Sequence, residues 1–105
     1  MASNVGQIAN QAAVELTKEK AGKMFCLAGI GGHVESFIES TKGSRRIVTR
    51  DGCRQYCAKK TLEHVGLPIT DYVVVSEEGI KKTHDFDLHD EDIQKICKKV
   101  KDFLK

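Results

Sequence analysis

Segments with helical periodicity alternate with short apolar runs along this chain, and this alternation constrains the fold more than any other feature. Between Asn4 and Lys20, for example, apolar side chains recur every three or four residues, which is typical of an amphipathic helix. Met24 to Ala28 is apolar throughout but too short for a stable helix, so it predicts a buried strand. The full pattern predicts helices over 4–20, 34–42, 54–64 and 90–103, and strands over 24–28, 47–49 and 72–75.

Strands that alternate with helices build a parallel sheet, because each helix is a crossover between neighbouring strands. The sequence therefore predicts an α/β fold, a Rossmann-like three-layer sandwich with a small, mostly parallel sheet. A length of 105 residues fits one domain, residues 1–105. Three strands would make a thin sheet, and the chain opens on a helix where folds of this type usually open on a strand.

Composition excludes several classes of protein. Charged residues make up 30% of the chain, and the longest apolar stretches, such as Val73–Val75, are far too short to span a bilayer. A net charge of +2 without a concentrated basic face gives no clear indication of nucleic-acid binding. The first residues have neither a basic nor an apolar signal region, so we expect a cytoplasmic protein whose four cysteines are reduced. Reduced cysteines indicate metal binding, catalysis or core packing.

The predicted sheet brings three segments with reactive side chains to one edge, since ligands of open parallel sheets bind where the strands end. They are the segment of Cys26 with its glycine-rich loop, the Asp51–Cys53 turn, and the polar stretch after Val75 that includes His84. The topology therefore predicts that distant cysteine segments converge.

Cys53 and Cys57 are the strongest candidates for chemistry. Their spacing predicts that both sulfurs share one face at the start of a helix, whose free N–H groups stabilise a thiolate. Arg50 and Arg54 flank Cys53 and would add to this effect. The thiolate is the form that binds metal or attacks an electrophile. The alternative is that both cysteines are small buried apolar residues.

The other cysteines and two histidines are less distinctive. Cys26 is either a structural residue of a strand or a member of the cluster, whereas Cys97 lies on the apolar stripe of the last helix and is predicted to be core. His33, at a predicted helix start, is a candidate ligand or a solvated loop residue. His84 is a further candidate nitrogen ligand, with the same solvated alternative.

Two segments resemble a known family. Residues 26–32, Cys-Leu-Ala-Gly-Ile-Gly-Gly, and residues 51–57, Asp-Gly-Cys-x-x-x-Cys, followed by a helix stop at Gly66, are similar to the DGC-domain family of small proteins described as zinc-binding. The resemblance implies that Cys26, Cys53 and Cys57 are metal ligands. Family members usually begin with a strand ending in Cys-x-Gly, which this sequence does not match. The resemblance therefore predicts either a truncated chain or a site completed by His33, His84, water or another chain.

The sequence supports three hypotheses about function. The first is a zinc-binding protein that uses Cys26, Cys53 and Cys57, because soft thiolates suit zinc. The second is a redox or sulfur-transfer protein in which Cys53 is the reactive thiolate and Cys57 or Cys26 resolves it. The third is an interaction module with an inert cysteine cluster. No general base is evident, so no enzyme reaction is assigned, and a protein partner is not identified.

Overall fold

The structure is a computed structural model that describes residues 2–104, so that Met1 and Lys105 lie outside the described residues. Within residues 2–104, five α-helices and two strands form, with a 3-10 turn over Val75–Glu77. In chain order the elements are α1 (Asn4–Lys18), α2 (Leu27–Gly31), α3 (Glu35–Lys42), β1 (Val48–Asp51), α4 (Cys57–His64), β2 (Asp71–Val74) and α5 (Asp90–Phe103). None of these helices has the length and apolar character that a membrane crossing requires.

The two long helices, α1 and α5, pack against each other and build the larger core. Ser3 caps α1 with a side-chain oxygen that accepts the Gly6 N–H at 3.3 Å, which fixes where the helix begins. Acidic residues in the first turn of α5 complement its dipole. The apolar stripes of both helices, together with β2 and its following turn, bury a continuous cluster. Its members include Val5, Ile8, Ala12, Leu16, Val73, Val75, Ile93, Ile96 and Val100.

The sheet formed by the described residues has two parallel strands, with Val48 opposite Asp71 and Asp51 opposite Val74. The mixed α/β class and the parallel pairing are confirmed, whereas a three-layer sandwich is not. A smaller core of Ile30, Ile47, Leu62 and Leu67 lies on the face that α2 and α4 cover. The sheet thus has helices on both faces but few strands between them.

The strand predicted over residues 24–28 is wrong. Residues 22–26 have no regular secondary structure, and no backbone hydrogen bond joins them to β1 in the chain as described. Met24 is 38% and Phe25 37% exposed, where a buried strand was expected. The physical reason is that a strand needs a paired neighbour, and this segment lines a groove opposite β1 instead of lying beside it.

The glycine-rich loop expected after that strand is a helix, α2. Cys26 begins it as N-cap, and its Sγ accepts the Gly29 N–H at 3.3 Å. The glycine at position 29 has a packing reason, since a Cβ there would collide with the ring of Phe37 on α3. His33 lies between the end of α2 and Val34, the N-cap of α3, so it immediately precedes a helix start, close to the predicted position.

Candidate thiol site at the carboxyl edge of the sheet

The carboxyl edge of the sheet is where β1 ends at Asp51 and β2 ends at Val74. The turn of residues 52–56 and the 3-10 turn after β2 both leave the sheet there. A hydrogen bond of 2.9 Å from the Ser76 N–H to the Gly52 carbonyl joins these two turns. Of the three segments predicted to converge at this edge, this bond joins the turn of Cys53 and the stretch after β2, and it does not include the Cys26 segment.

Asp51 organises this edge. Its carboxylate is buried and accepts hydrogen bonds from the N–H groups of Ala58, at 2.6 Å, and Lys59, at 3.0 Å, in the first turn of α4. The hydroxyl of Tyr72, on β2, donates to the same carboxylate at 2.6 Å. Burial, and then this hydrogen bond, raise the pKa of Tyr72, so the phenol stays neutral and remains a donor. One carboxylate thereby caps a helix and ties it to both strands.

Gly52 holds the turn close to the first turn of α1. A Cβ at this position would lie 2.5 Å from the backbone nitrogen of Gly6, so a larger residue would push the helix away. Because Asp51 is held by its hydrogen bonds to α4 and Gly52 by the close approach of α1, the backbone immediately before Cys53 has little freedom to shift.

Cys53 lies in the turn and not in the helix, which corrects the prediction of a helix over residues 54–64. Helix α4 begins at Cys57, and Tyr56 before it has a left-handed backbone with φ of 57°. The Tyr56 N–H donates to the Cys53 carbonyl at 3.3 Å and closes the turn. The two sulfurs therefore do not share a helical face. Cys53 is half-buried and Cys57 is exposed.

The cation beside Cys53 is Lys82, whose Nζ lies 3.5 Å from the Cys53 Sγ. The two arginines expected to flank the thiol point elsewhere. Arg50 Nε donates to the Ala9 carbonyl at 3.3 Å, and Arg54 Nε pairs with Glu77 at 2.7 Å. Sequence reasoning named the polar stretch after β2 but missed Lys82. The two adjacent lysines at positions 81 and 82 indicated a cation in this stretch, but the sequence did not show which of them contacts the thiol.

Cys26 begins a helix that packs against α4. Near their C-terminal ends, a Cβ at Gly31 would touch Thr61 Cγ2 at 3.4 Å, and the rings of His33 and His64 lie 5.5 Å apart. Both helices begin at an exposed cysteine, since Cys26 is the N-cap of α2 and Cys57 is the first residue of α4.

The predicted ligands do not form a metal site as placed. Among residues 2–104, no group of three or more cysteine, histidine or acidic side chains is arranged to hold a metal ion. His84 is exposed in the irregular segment between Gly79 and α5. The residues present therefore do not fit a zinc ion in this arrangement, and zinc binding stays a prediction.

Cys97 is a core residue, as predicted. It is buried in the packing of α5 against α1, and its thiol donates to the Ala12 carbonyl at 3.6 Å. Burial raises the pKa of this thiol. Cys53 packs against the edge of this same core, whereas Cys26 and Cys57 are exposed.

Comparison with known proteins agrees with the motif analysis. The family model described as DGC domain matches residues 2–100. The chain is 33% identical over 94 residues to the anaerobic and virulence modulator AnvM of Pseudomonas aeruginosa, a match that covers 90% of this chain and 72% of that protein. No solved structure shows a significant match.

Proposed function

We propose that this chain, which belongs to the DGC domain family, is a thiol-based regulatory protein in which Cys53 is the reactive thiolate. The observation that carries the proposal is the contact of 3.5 Å between the ammonium group of Lys82 and the Cys53 sulfur. A neighbouring cation favours the thiolate, which is the nucleophilic form of cysteine. Cys53 is only partly buried, so an oxidant or an electrophile can reach it.

The rigid frame around Cys53 supports the same proposal. Asp51 and Gly52 fix the backbone immediately before the thiol, through the hydrogen bonds to α4 and the close approach of α1. A nucleophile held in this way loses less conformational freedom when it reacts. By contrast, Arg54 and Gln55 after it are exposed, and the turn they form is not part of a helix.

The proposed chemistry is oxidation by hydrogen peroxide. The Cys53 thiolate attacks the peroxide oxygen, the O–O bond breaks, and Cys53 becomes a sulfenic acid while one water leaves after protonation. The Cys57 thiolate then attacks the sulfenic sulfur, forming the S–S bond and releasing a second water. The two thiols lose two electrons, and the peroxide gains them. Cys57 is the proposed resolving residue because it is exposed and follows the turn that carries Cys53.

The relative supports a regulatory role over a metabolic one. AnvM is named as a modulator connected with anaerobic conditions and virulence. A thiol that changes state with oxidant supply would suit such a role in this chain, since oxidation changes the charge and geometry of the carboxyl edge.

Zinc binding through Cys26, Cys53 and Cys57, with His33 or His84, is the second candidate. Its support is that Cys26 and Cys57 are exposed, that Cys53 is partly exposed, and that thiolates are preferred zinc ligands. Because the described side chains do not form a ligand group, this candidate requires the ligands to rearrange when the metal binds.

Alkylation by iodoacetamide, followed by peptide mass spectrometry, tests the proposal. We expect Cys53 to react first, and Lys82→Gln to slow it by about three- to tenfold, the effect of removing one close charge pair of about 1 kcal/mol. Lys81→Gln is the matched control and should leave the rate unchanged. Hydrogen peroxide should give a Cys53–Cys57 disulfide in the wild type and a sulfenic acid in Cys57→Ser.

Elemental analysis and a chelator separate the candidates. Thiols that react only after chelation, in protein that carries stoichiometric zinc, would establish the second candidate. A Cys53 that reacts slowly with and without chelator, in metal-free protein, would refute both and leave the inert interaction module.

A further inference from the structure

A groove lies beside β1, lined by residues of α1, α2, α4 and the segment before α2. Its volume is about 830 Å³, within the range of small-molecule sites. Helix α1 forms one wall, α2 and α4 form the other, and residues 22–28 form the rim opposite β1. The thiol chemistry proposed above does not use this groove.

The walls of the groove are predominantly apolar. Aliphatic side chains from both cores contribute to them, so the groove presents hydrocarbon surface on two sides of any occupant. The principal aliphatic contacts are Ala13, Leu16, Ile30, Val48, Leu62 and Val100. An occupant with a hydrocarbon body would bury its surface on both sides, which is the main source of affinity for apolar ligands.

The charged side chains on the groove have one sign. Lys23, Arg46 and Arg50 line it, and no aspartate or glutamate does so among the described residues. Arg46 is paired with Asp71 outside the apolar walls. Arg50 forms no ion pair with any described residue, and its Nε donates to the Ala9 carbonyl. The groove therefore holds one guanidinium group without a counter-charge.

A second polar group on the same strand lacks a partner. Thr49 is 4% exposed, and its hydroxyl makes no hydrogen bond within residues 2–104. Because buried hydroxyls are normally satisfied, this is an unusual feature of a strand that lines a cavity. Thr49 and Arg50 both line the groove, but successive side chains of a strand point to opposite faces, so the hydroxyl and the guanidinium lie on different faces of β1.

These features exclude several kinds of occupant. A neutral hydrocarbon would leave the Arg50 guanidinium without a counter-charge in a partly desolvated position. A polyanion such as a nucleotide would place charges against the aliphatic walls. A cation would be repelled by the three basic side chains.

We propose that the groove binds an amphipathic monoanion, a molecule with a hydrocarbon body and a single carboxylate that pairs with Arg50. The body lies between α1 and the α2–α4 wall. Medium-chain fatty acids are the simplest members of this chemical class.

Titration of the full chain with decanoate, below its micelle concentration, tests the proposal by nuclear magnetic resonance. We expect saturable binding with shifts at Val48, Leu62 and Ala13. On the same wild-type protein, decanol should bind about tenfold more weakly than decanoate, because it lacks the charge that strengthens the hydrogen bond to Arg50. Decylamine, which carries a positive charge, should bind more weakly still. Absence of saturable decanoate binding, or equal affinity for the three probes, would overturn the proposal.

A pair of variants localises the carboxylate. Arg50→Met should lower decanoate affinity about tenfold while leaving decanol affinity unchanged. Arg45→Met, at an exposed arginine outside the groove, should leave both unchanged. Equal loss in the two variants would refute the assignment to Arg50. If Arg50→Met does not fold, the affinities of the wild type for the three probes decide.

A second copy of the chain in the groove would also overturn the proposal. It would be seen as resonance shifts that change on dilution and that decanoate does not reverse.

Discussion

The two sides of the sheet are built differently. On one side, α1 and α5 are helices of 15 and 14 residues whose apolar stripes meet along their length. On the other side, α2, α3 and α4 have 5, 8 and 8 residues, and the core they cover is small. Val34 and Phe37 remain exposed there, at 43% and 41%. Long amphipathic helices bury enough surface to close a core, whereas short ones leave a groove.

This difference implies an uneven distribution of stability. The α1–α5 side holds most of the buried aliphatic side chains, so it should carry most of the free energy of folding. The α2–α4 side contributes walls to the groove and one end of the thiol site. Its looser packing allows local motion without loss of the whole fold.

The largest expected effect comes from truncating a core residue on each side. Ile96→Ala, at a position with 0% exposure in the larger core, should lower the free energy of unfolding by about 4 kcal/mol. Leu62→Ala, in the smaller core beside the groove, should cost about 2 kcal/mol because less packing is lost. Urea unfolding monitored by circular dichroism measures both losses. Equal losses would contradict the conclusion that the α1–α5 side carries more of the free energy of folding.

Much of this architecture was predictable from sequence. Helix α1 begins at the predicted residue because Ser3 supplies a cap, and the bounds of α5 match because its apolar stripe is long and unbroken. The end of α4 was also predictable, since Gly66 adopts a positive φ of 75° and its N–H bonds back to Glu63. Each of these signals is local to the element that it defines.

The failures share a dependence on distant residues. The apolar run before α2 has strand composition, but a strand forms only where a neighbour pairs with it. The start of α4 is decided by Asp51, whose carboxylate caps the helix from the end of β1, and the residues after Cys53 gave no sign of that. Lys82 reaches Cys53 across 29 positions in sequence. The cysteine segments were found from topology, while their exact neighbours depended on side-chain packing.

Asp51 connects the two sides and offers the second test. Asp51→Asn keeps the shape but puts an NH2 group in place of one carboxylate oxygen, so either the Ala58 N–H or the Lys59 N–H and Tyr72 hydroxyl lose their acceptor. This loss should lower the free energy of unfolding by about 2–3 kcal/mol. Hydrogen exchange should accelerate in α4 before it changes in α1 and α5.

The control for this test is Asp87→Asn, at an exposed aspartate, which should change the free energy of unfolding by less than about 0.5 kcal/mol. Uniform acceleration of exchange in all helices would show that the two sides unfold as one unit.

The smallest expected effect is a pH dependence of the α1–α5 side. Burial raises the pKa of Cys97 above its ordinary value of 9.0. Above that pH the unfolded chain loses the thiol proton while the folded chain keeps it, so the free energy of unfolding should fall as pH rises. The raised pKa of Tyr72 acts in the same direction.

Urea unfolding between about pH 8 and pH 10.5 measures this dependence. Cys97→Ala should reduce the slope, leaving the part that Tyr72 contributes. Val73→Ala, a truncation in the same core without an ionisable group, should lower stability but keep the slope. An unchanged slope in Cys97→Ala would contradict the assignment.

The three residues of the Asp-Gly-Cys tripeptide have different roles, because the first two are fixed by contacts with neighbouring helices. The aspartate caps α4, and the glycine leaves the space that α1 occupies. The turn therefore requires both residues, whether or not the third residue is a cysteine. A chain with another side chain in place of Cys53 would keep the same turn. Two of the three motif residues therefore have a structural role. A sequence match to the motif indicates first that a protein has this turn, and only secondly that it has a reactive thiol.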